Sequence, residues 1–325
     1  MRVPASIKLW AVVAVTIVGI ALFARSRTDE LPLRMSNSAV QPDHRDAQMS
    51  TRTSVNSSAP PSGNRVYRAQ FRSAHDYSLF VRTISSAAMA GDPGAEYLTA
   101  KALRYCAENL MRSFRRPDGS SRTLDEVQTR MAKIPNGYEL SNEIYDHCRA
   151  YLDDPVLMGT TASWGKWLDK AVAANYPPAQ IEKADVLRVS DLMRDAGNAT
   201  SGDVIPPTAG PARDLALTAV LSGDPDAILG MANWVDGTKH SVDEYRDLVG
   251  AWVLLACQRG YDDCGPNSEL FRSVCMYDPQ CLNDSNVIDL LQRRLGTRFD
   301  DARRLAESIG LALDTQNKTA IESYL

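Results

Sequence analysis

The stretch WVLLACQRGYDDCG, Trp252 to Gly265, places two cysteines on either side of a glycine. Cys257 stands three residues before Gly260 and Cys264 four after it. An apolar run that stops at glycine reads as a helix ending in a left-handed residue, which glycine adopts without a Cβ penalty. Similar junctions occur at AAMAGDPGAEYL, AVAANYPPAQIE and AVLSGDPDAILG. Aligned on Gly91, Asn175, Gly223 and Gly260, they carry Ala87, Ala171, Ala219 and Ala256 four residues earlier. Four residues later stand Ala95, Ala179, Ala227 and Cys264, and eight earlier Thr83, Trp167, Leu215 and Trp252. Small residues flanking a turn let two helices approach closely, and a bulky residue further back fills the wider space. Pro93, Pro177 and Pro225 are expected to stop the first helix of each pair. Turn spacings of 84, 48 and 37 residues imply an irregular array rather than a strict repeat.

Other signals agree with an all-α chain. Thr123-Leu-Asp-Glu126 and Ser241-Val-Asp-Glu244 read as capping boxes, and Gly296 and Gly310 as helix stops. Alternating β-branched runs and hairpin signatures are missing from the sequence. The expected architecture is an irregular, right-handed helical-hairpin repeat, α-solenoid-like and held by disulfides, preceded by one transmembrane helix.

That transmembrane expectation rests on Leu9 to Ala24, an uncharged run of 16 residues with Arg2 and Lys8 before it and Arg25 and Arg27 after it. It is short for a span, which usually takes about 20 residues, and a cleaved signal peptide is the alternative. Leu22 and Phe23 crowd the best cleavage position, so an uncleaved signal-anchor is the preferred reading, with residues 1–8 in the cytoplasm. Residues 25–65 are rich in Ser, Thr, Asn and Pro without apolar period and read as a disordered linker. A flexible chain of that length reaches roughly 35 Å. Residues 66–314 form the expected helical domain, with 264–314 its cysteine-containing part, and 315–325 a tail.

All six cysteines, Cys106, Cys148, Cys257, Cys264, Cys275 and Cys281, follow the apolar run. Zinc is disfavoured because no CxxC pair occurs and the four histidines lack zinc-finger spacing. Even number and an export-type N-terminus point to disulfides outside the cytoplasm, in a bacterium the periplasmic face of the inner membrane. Facing positions across the hairpin predict Cys257–Cys264, leaving Cys275–Cys281 and Cys106–Cys148. A crossed set, Cys257–Cys275 with Cys264–Cys281, stays open on sequence alone.

The stretches Trp164-Gly-Lys-Trp167-Leu-Asp-Lys-Ala171 and Ala227-Ile-Leu-Gly230-Met-Ala-Asn-Trp234 resemble Sel-like repeats, the tetratricopeptide-related helical hairpins. The resemblance covers residues 77–105, 160–190 and 212–265, while 107–160, 195–211 and the cysteine-rich C-terminal part depart from it. It implies protein–protein interaction on a concave helical surface.

No residue pattern assigns chemistry. His44, His75, His147 and His240 lack a nucleophile motif, and Asp153-Asp154 and Asp262-Asp263 lack calcium-loop spacing. The tryptophans Trp164, Trp167, Trp234 and Trp252 are expected mainly in the core, and Arg112 to Arg116 at an exposed helix end. With a net charge of −4, no basic excess suits nucleic acid. The expectation is a membrane-tethered protein with an unidentified protein partner, no nucleic acid, no metal, no cofactor and no catalytic residues. An immunity or inhibitor protein against a secreted toxin is the alternative, and an envelope-acting hydrolase a weaker one.

Overall fold

The computed structural model describes residues 62–116, 118–133, 137–198, 210–265, 268, 270–271 and 284–325. The apolar run, the linker up to residue 61, His44, Cys275 and Cys281 lie outside the described residues. Among the described residues the chain is all-helical, with one isolated bridge, Arg115 to Ser121, and no helix long and apolar enough to cross a membrane.

The first helix, α1 (Ser62–Ser73), begins inside the segment expected to be linker. A hairpin follows, α2 (Tyr77–Met89) and α3 (Pro93–Asn109). The helices α4 (Leu124–Met131), α5 (Gly137–Asp153) and α6 (Pro155–Thr161) precede a second hairpin, α7 (Trp164–Ala173) and α8 (Pro177–Asn198). Then come α9 (Pro211–Leu221), α10 (Pro225–Gly230), α11 (Val242–Gln258), α12 (Val287–Leu295), α13 (Phe299–Asp314) and α14 (Lys318–Glu322). Both capping boxes form, Thr123 with Glu126 and Ser241 with Glu244.

The aligned turn residues are all left-handed: φ is 87° at Gly91, 57° at Asn175, 75° at Gly223 and 89° at Gly260. The backbone closes in the same way at Asp92, Tyr176 and Tyr261, whose N–H groups donate to Ala87, Ala171 and Ala256. This is a Schellman ending, which satisfies carbonyls the helix leaves free. A fifth such turn sits at Gln316, φ 53°, with Asn317 N–H donating to the Ala312 carbonyl. The sequence hid it because glutamine carries no turn signature. Gln316→Gly would relieve the left-handed cost of a Cβ but give up the bond from Gln316 Nε2 to the Leu221 carbonyl at 2.8 Å, so the two should nearly cancel, within about 1 kcal/mol. Urea unfolding checks this against Gln316→Val, which loses the bond and keeps the Cβ and should be the less stable of the two; the reverse order would contradict the assigned turn.

Several expectations need correction. Pro93, Pro177 and Pro225 are the first residues of α3, α8 and α10 rather than stops for the helices before them. A fixed φ and a missing N–H suit a helix's first turn. In the opening stretch, residues 261–265 form turns rather than a second helix. Asp262 stands there in the place the other junctions give to proline. Gly310 lies buried inside α13, where an added Cβ would come within 3.3 Å of Leu255; it serves close packing, not helix termination. The expected tail instead folds back, with Ile321 and Leu325 buried and the Leu325 carbonyl accepting from Asp236 N–H. Thr83 is exposed and Trp167 and Leu215 half-buried, so the position eight before the turn is not a general core position. The buried stripe includes Ile84, Leu168, Ala216 and Ile309, seven residues before their turns, as helical periodicity with the three- and four-back positions requires.

The helices pack in series: α2 on α3, α3 on α7, α7 on α8, α8 on α9 and α10, α10 on α11, and α11 on α13. One hydrophobic core runs from Phe71 to Ala179 and a second from Ile181 to Leu325, so α8 contributes to both. Gly230 allows α10 to reach α8, since an added Cβ would stand 2.4 Å from Ile181 Cγ1. Cys106 in α3 is bonded to Cys148 in α5, both buried, with Cα atoms 5.4 Å apart. Cys257 is bonded to Cys264 at a Cα separation of 5.7 Å. That second pair is half-buried against the core rather than enclosed within a hairpin, and the Cys264 carbonyl accepts from Val287 N–H.

Candidate functional site

The residues weighed from sequence are dispersed. His75 is exposed, His240 half-buried, and the His147 ring stacks on Tyr77 at 4.5 Å. Asp154 caps α6 by accepting from Val156 and Leu157 N–H, and Asp262 lies 3.5 Å from Arg72. Arg116 chelates Glu126 at 2.6 and 2.8 Å, while Arg115 donates to the Gly119 carbonyl, so the basic cluster is largely engaged locally. Among the described residues no three His, Cys, Asp or Glu could hold a metal ion. Trp252 is fully buried and Trp234 nearly so, whereas Trp164 and Trp167 are half-buried beneath Arg104 and Lys170.

Two constellations emerge that the sequence did not single out. The first is a polar seam between the two cores. Arg68, on α1, pairs with Asp226, stands 3.7 Å from Asp224 and donates to the Tyr176 hydroxyl at 3.1 Å. Its side chain is only 16% exposed. Burial pulls its pKa down, but Asp226, Tyr176 and Asp224 more than reverse this and hold the guanidinium charged. One turn on, Arg72 reaches Asp262, while Phe71 between them stacks on Tyr77 at 4.9 Å. Nearby, Glu182 accepts from Arg104 at 2.7 Å and from the Tyr97 hydroxyl at 3.3 Å. Burial, then Glu182, raises the Tyr97 pKa well above its ordinary value. Arg68 and Arg72 one helical turn apart, with Phe71 between them, was the available signal; linker-like composition upstream masked it.

The second is a cleft of about 320 Å³ between α2, α3, α5, α6 and α7. Its floor is apolar, including Leu103, with Trp167 on one wall. Ser78 and Thr99 line it, 4% and 2% exposed, and neither hydroxyl has a hydrogen-bond partner among the described residues. This contrasts with Thr83, which bonds back to the Leu79 carbonyl at 2.9 Å, as helical hydroxyls commonly do. Tyr151 also lines the cleft. Burial, then the negative charge of Asp76, raises its pKa, and the positive charge of Arg82 opposes the shift. Arg82 lines the cleft from its exposed side and has no ion-pair partner among the described residues. Unpaired buried hydroxyls cost about 1–3 kcal/mol each, so an apolar cleft holding two of them beside a guanidinium that forms no ion pair among the described residues is suited to receive polar atoms.

No family model matches the chain, and no curated protein sequence and no solved structure shows significant similarity to it.

Proposed function

We propose that this chain is an extracytoplasmic, membrane-tethered member of the Sel-like class of helical-hairpin repeats, and that it binds a partner protein. The observation carrying the binding reading is the cleft, whose Ser78 and Thr99 hydroxyls and Arg82 guanidinium have no hydrogen-bond or ion-pair partner among the described residues. The repeat reading is supported by left-handed endings at Gly91, Asn175, Gly223 and Gly260. Fully buried Ala95, Ala179 and Ala227 follow the first three at equal distance. Arrays of such hairpins expose extended surfaces suited to protein recognition. The paired cysteines support an oxidising compartment. With Leu9 to Ala24 as the anchor, the folded domain sits on the far side of the membrane.

Alkaline phosphatase fused after Arg65 should be active in cells and stay with the membrane fraction. An inactive fusion would overturn export, and a soluble product beginning near Arg25 would overturn the anchor while leaving export intact. Photocrosslinking from surface positions across α2, α7 and α11 in intact envelopes should join a discrete partner. Its failure at every position would count against the binding role.

A further inference from the structure

We propose that the cleft between α2, α3, α5, α6 and α7 is a peptide site: it takes an extended segment of a partner that inserts one apolar side chain and sets a carboxylate on Arg82. This rests on the partner-binding reading above and names the partner's chemistry. The apolar floor at Leu103 and the Trp167 wall suit an aliphatic or aromatic side chain. The volume, about 320 Å³, lies at the low end of ligand clefts and fits one or two residues rather than a whole helix.

The hydroxyls discriminate between apolar ligands. Ser78, Thr99 and Tyr151 line the same space, and the buried Ser78 and Thr99 hydroxyls lack hydrogen-bond partners among the described residues. A plain acyl chain would leave both unpaired in a drier environment, which costs free energy. A peptide brings amide N–H and carbonyl groups beside its side chain, and hydroxyls can donate to or accept from these. Arg82 supplies the remaining demand: a cleft-lining guanidinium that forms no ion pair among the described residues and can bond a carboxylate. Asp76, whose charge is also felt at Tyr151, accepts from the Ser78 and Leu79 N–H groups and forms no ion pair with Arg82.

The test uses the full chain in detergent micelles and fluorescein-Gly-Gly-Ala-Leu with a free carboxylate as the polarisation probe. N-acetyl-Ala-Leu, its C-terminal amide and decanoate serve as competitors. The probe should bind saturably, with the free acid competing and decanoate failing. Arg82→Ala should weaken binding about tenfold, the loss of one charge-assisted bond, and bring acid and amide to equal strength. Ser85→Trp, which fills the cleft from a half-exposed position, should abolish binding. Thr99→Val removes an unpaired hydroxyl without leaving a void; it should weaken the probe while raising the unfolding midpoint by roughly 2–4 °C. The opposed signs separate a binding role from a merely structural one. Decanoate displacing the probe more strongly than the acid would make this an acyl-chain site and overturn the proposal. Absence of saturable binding in folded protein would overturn it as well. In that case, a partner still crosslinked elsewhere would leave the partner-binding role standing.

Discussion

Arg68→Ala is expected to destabilise the protein by about 3–5 kcal/mol, the range for removing one partner from a buried charge cluster. The guanidinium lies between Asp226, Asp224 and Tyr176, and its loss strands two acids at the junction of the cores. Both acid side chains are less than one-fifth exposed, so water can reach them only partly. Helix α1 would also lose its main polar hold on α10, since Arg72 to Asp262 is a largely exposed pair worth little. Asp224→Asn provides the contrast. Asp224 caps α10 by accepting from Asp226 and Ala227 N–H, and asparagine retains that acceptor. Burial, ahead of repulsion by Asp226, raises the Asp224 pKa despite the nearby Arg68. The folded state therefore binds this proton more tightly than the unfolded chain does. The group's stabilising contribution is present at acidic pH and is lost as pH rises through its folded pKa. Asp224→Asn should be nearly neutral at pH 7 and should remove that part of the pH dependence. Urea unfolding of both variants across pH decides it, and a loss below about 1 kcal/mol for Arg68→Ala would mean the cluster behaves as a surface pair.

Removing the Cys106–Cys148 bond through a Cys106→Ala, Cys148→Ala pair should cost about 4 kcal/mol by loop entropy, given a separation of 42 residues. The bond fastens α5, and through it the segment from α4 to α6, to the α2–α3 hairpin. Because Tyr151 on α5 helps form the cleft, the same variant should lose peptide-probe binding along with stability. The equivalent pair at Cys257 and Cys264 closes a separation of only 7 residues and should cost about 2 kcal/mol. Thermal unfolding of the two double variants under non-reducing conditions should rank them in that order. The reverse order would show that local packing, not chain closure, sets their contributions.

Helix class and hairpin ends were legible because they depend on local chemistry. Thr123 and Ser241 with their glutamates cap helices through bonds three residues apart, and Gly91, Asn175, Gly223 and Gly260 accept left-handed backbone. What escaped depends on contacts distant in sequence. Gly310 reads as a stop until Leu255 of α11 is seen packed against it. Residues 315–325 look like a tail until Leu325 is placed beside Asp236. Arg68 meets Asp226 across 158 positions, and no periodicity carries that information. The cleft was less legible still, since Ser78, Thr99 and Tyr151 are unremarkable singly and matter only because three helices bring them to one space.

Peptide mapping of protein taken from cells under thiol-blocking conditions shows directly whether Cys106–Cys148 and Cys257–Cys264 staple the helical chain, as the proposed oxidising compartment requires. Trypsin cuts after Arg246, Arg259, Arg272 and Arg293, which puts Cys257, Cys264, and Cys275 with Cys281 on three separate peptides. The Cys257 and Cys264 peptides should be joined to each other alone, and the Cys106 and Cys148 peptides likewise joined. Blocked free thiols at these four cysteines, or a Cys275–Cys281 peptide linked to either hairpin peptide, would contradict it.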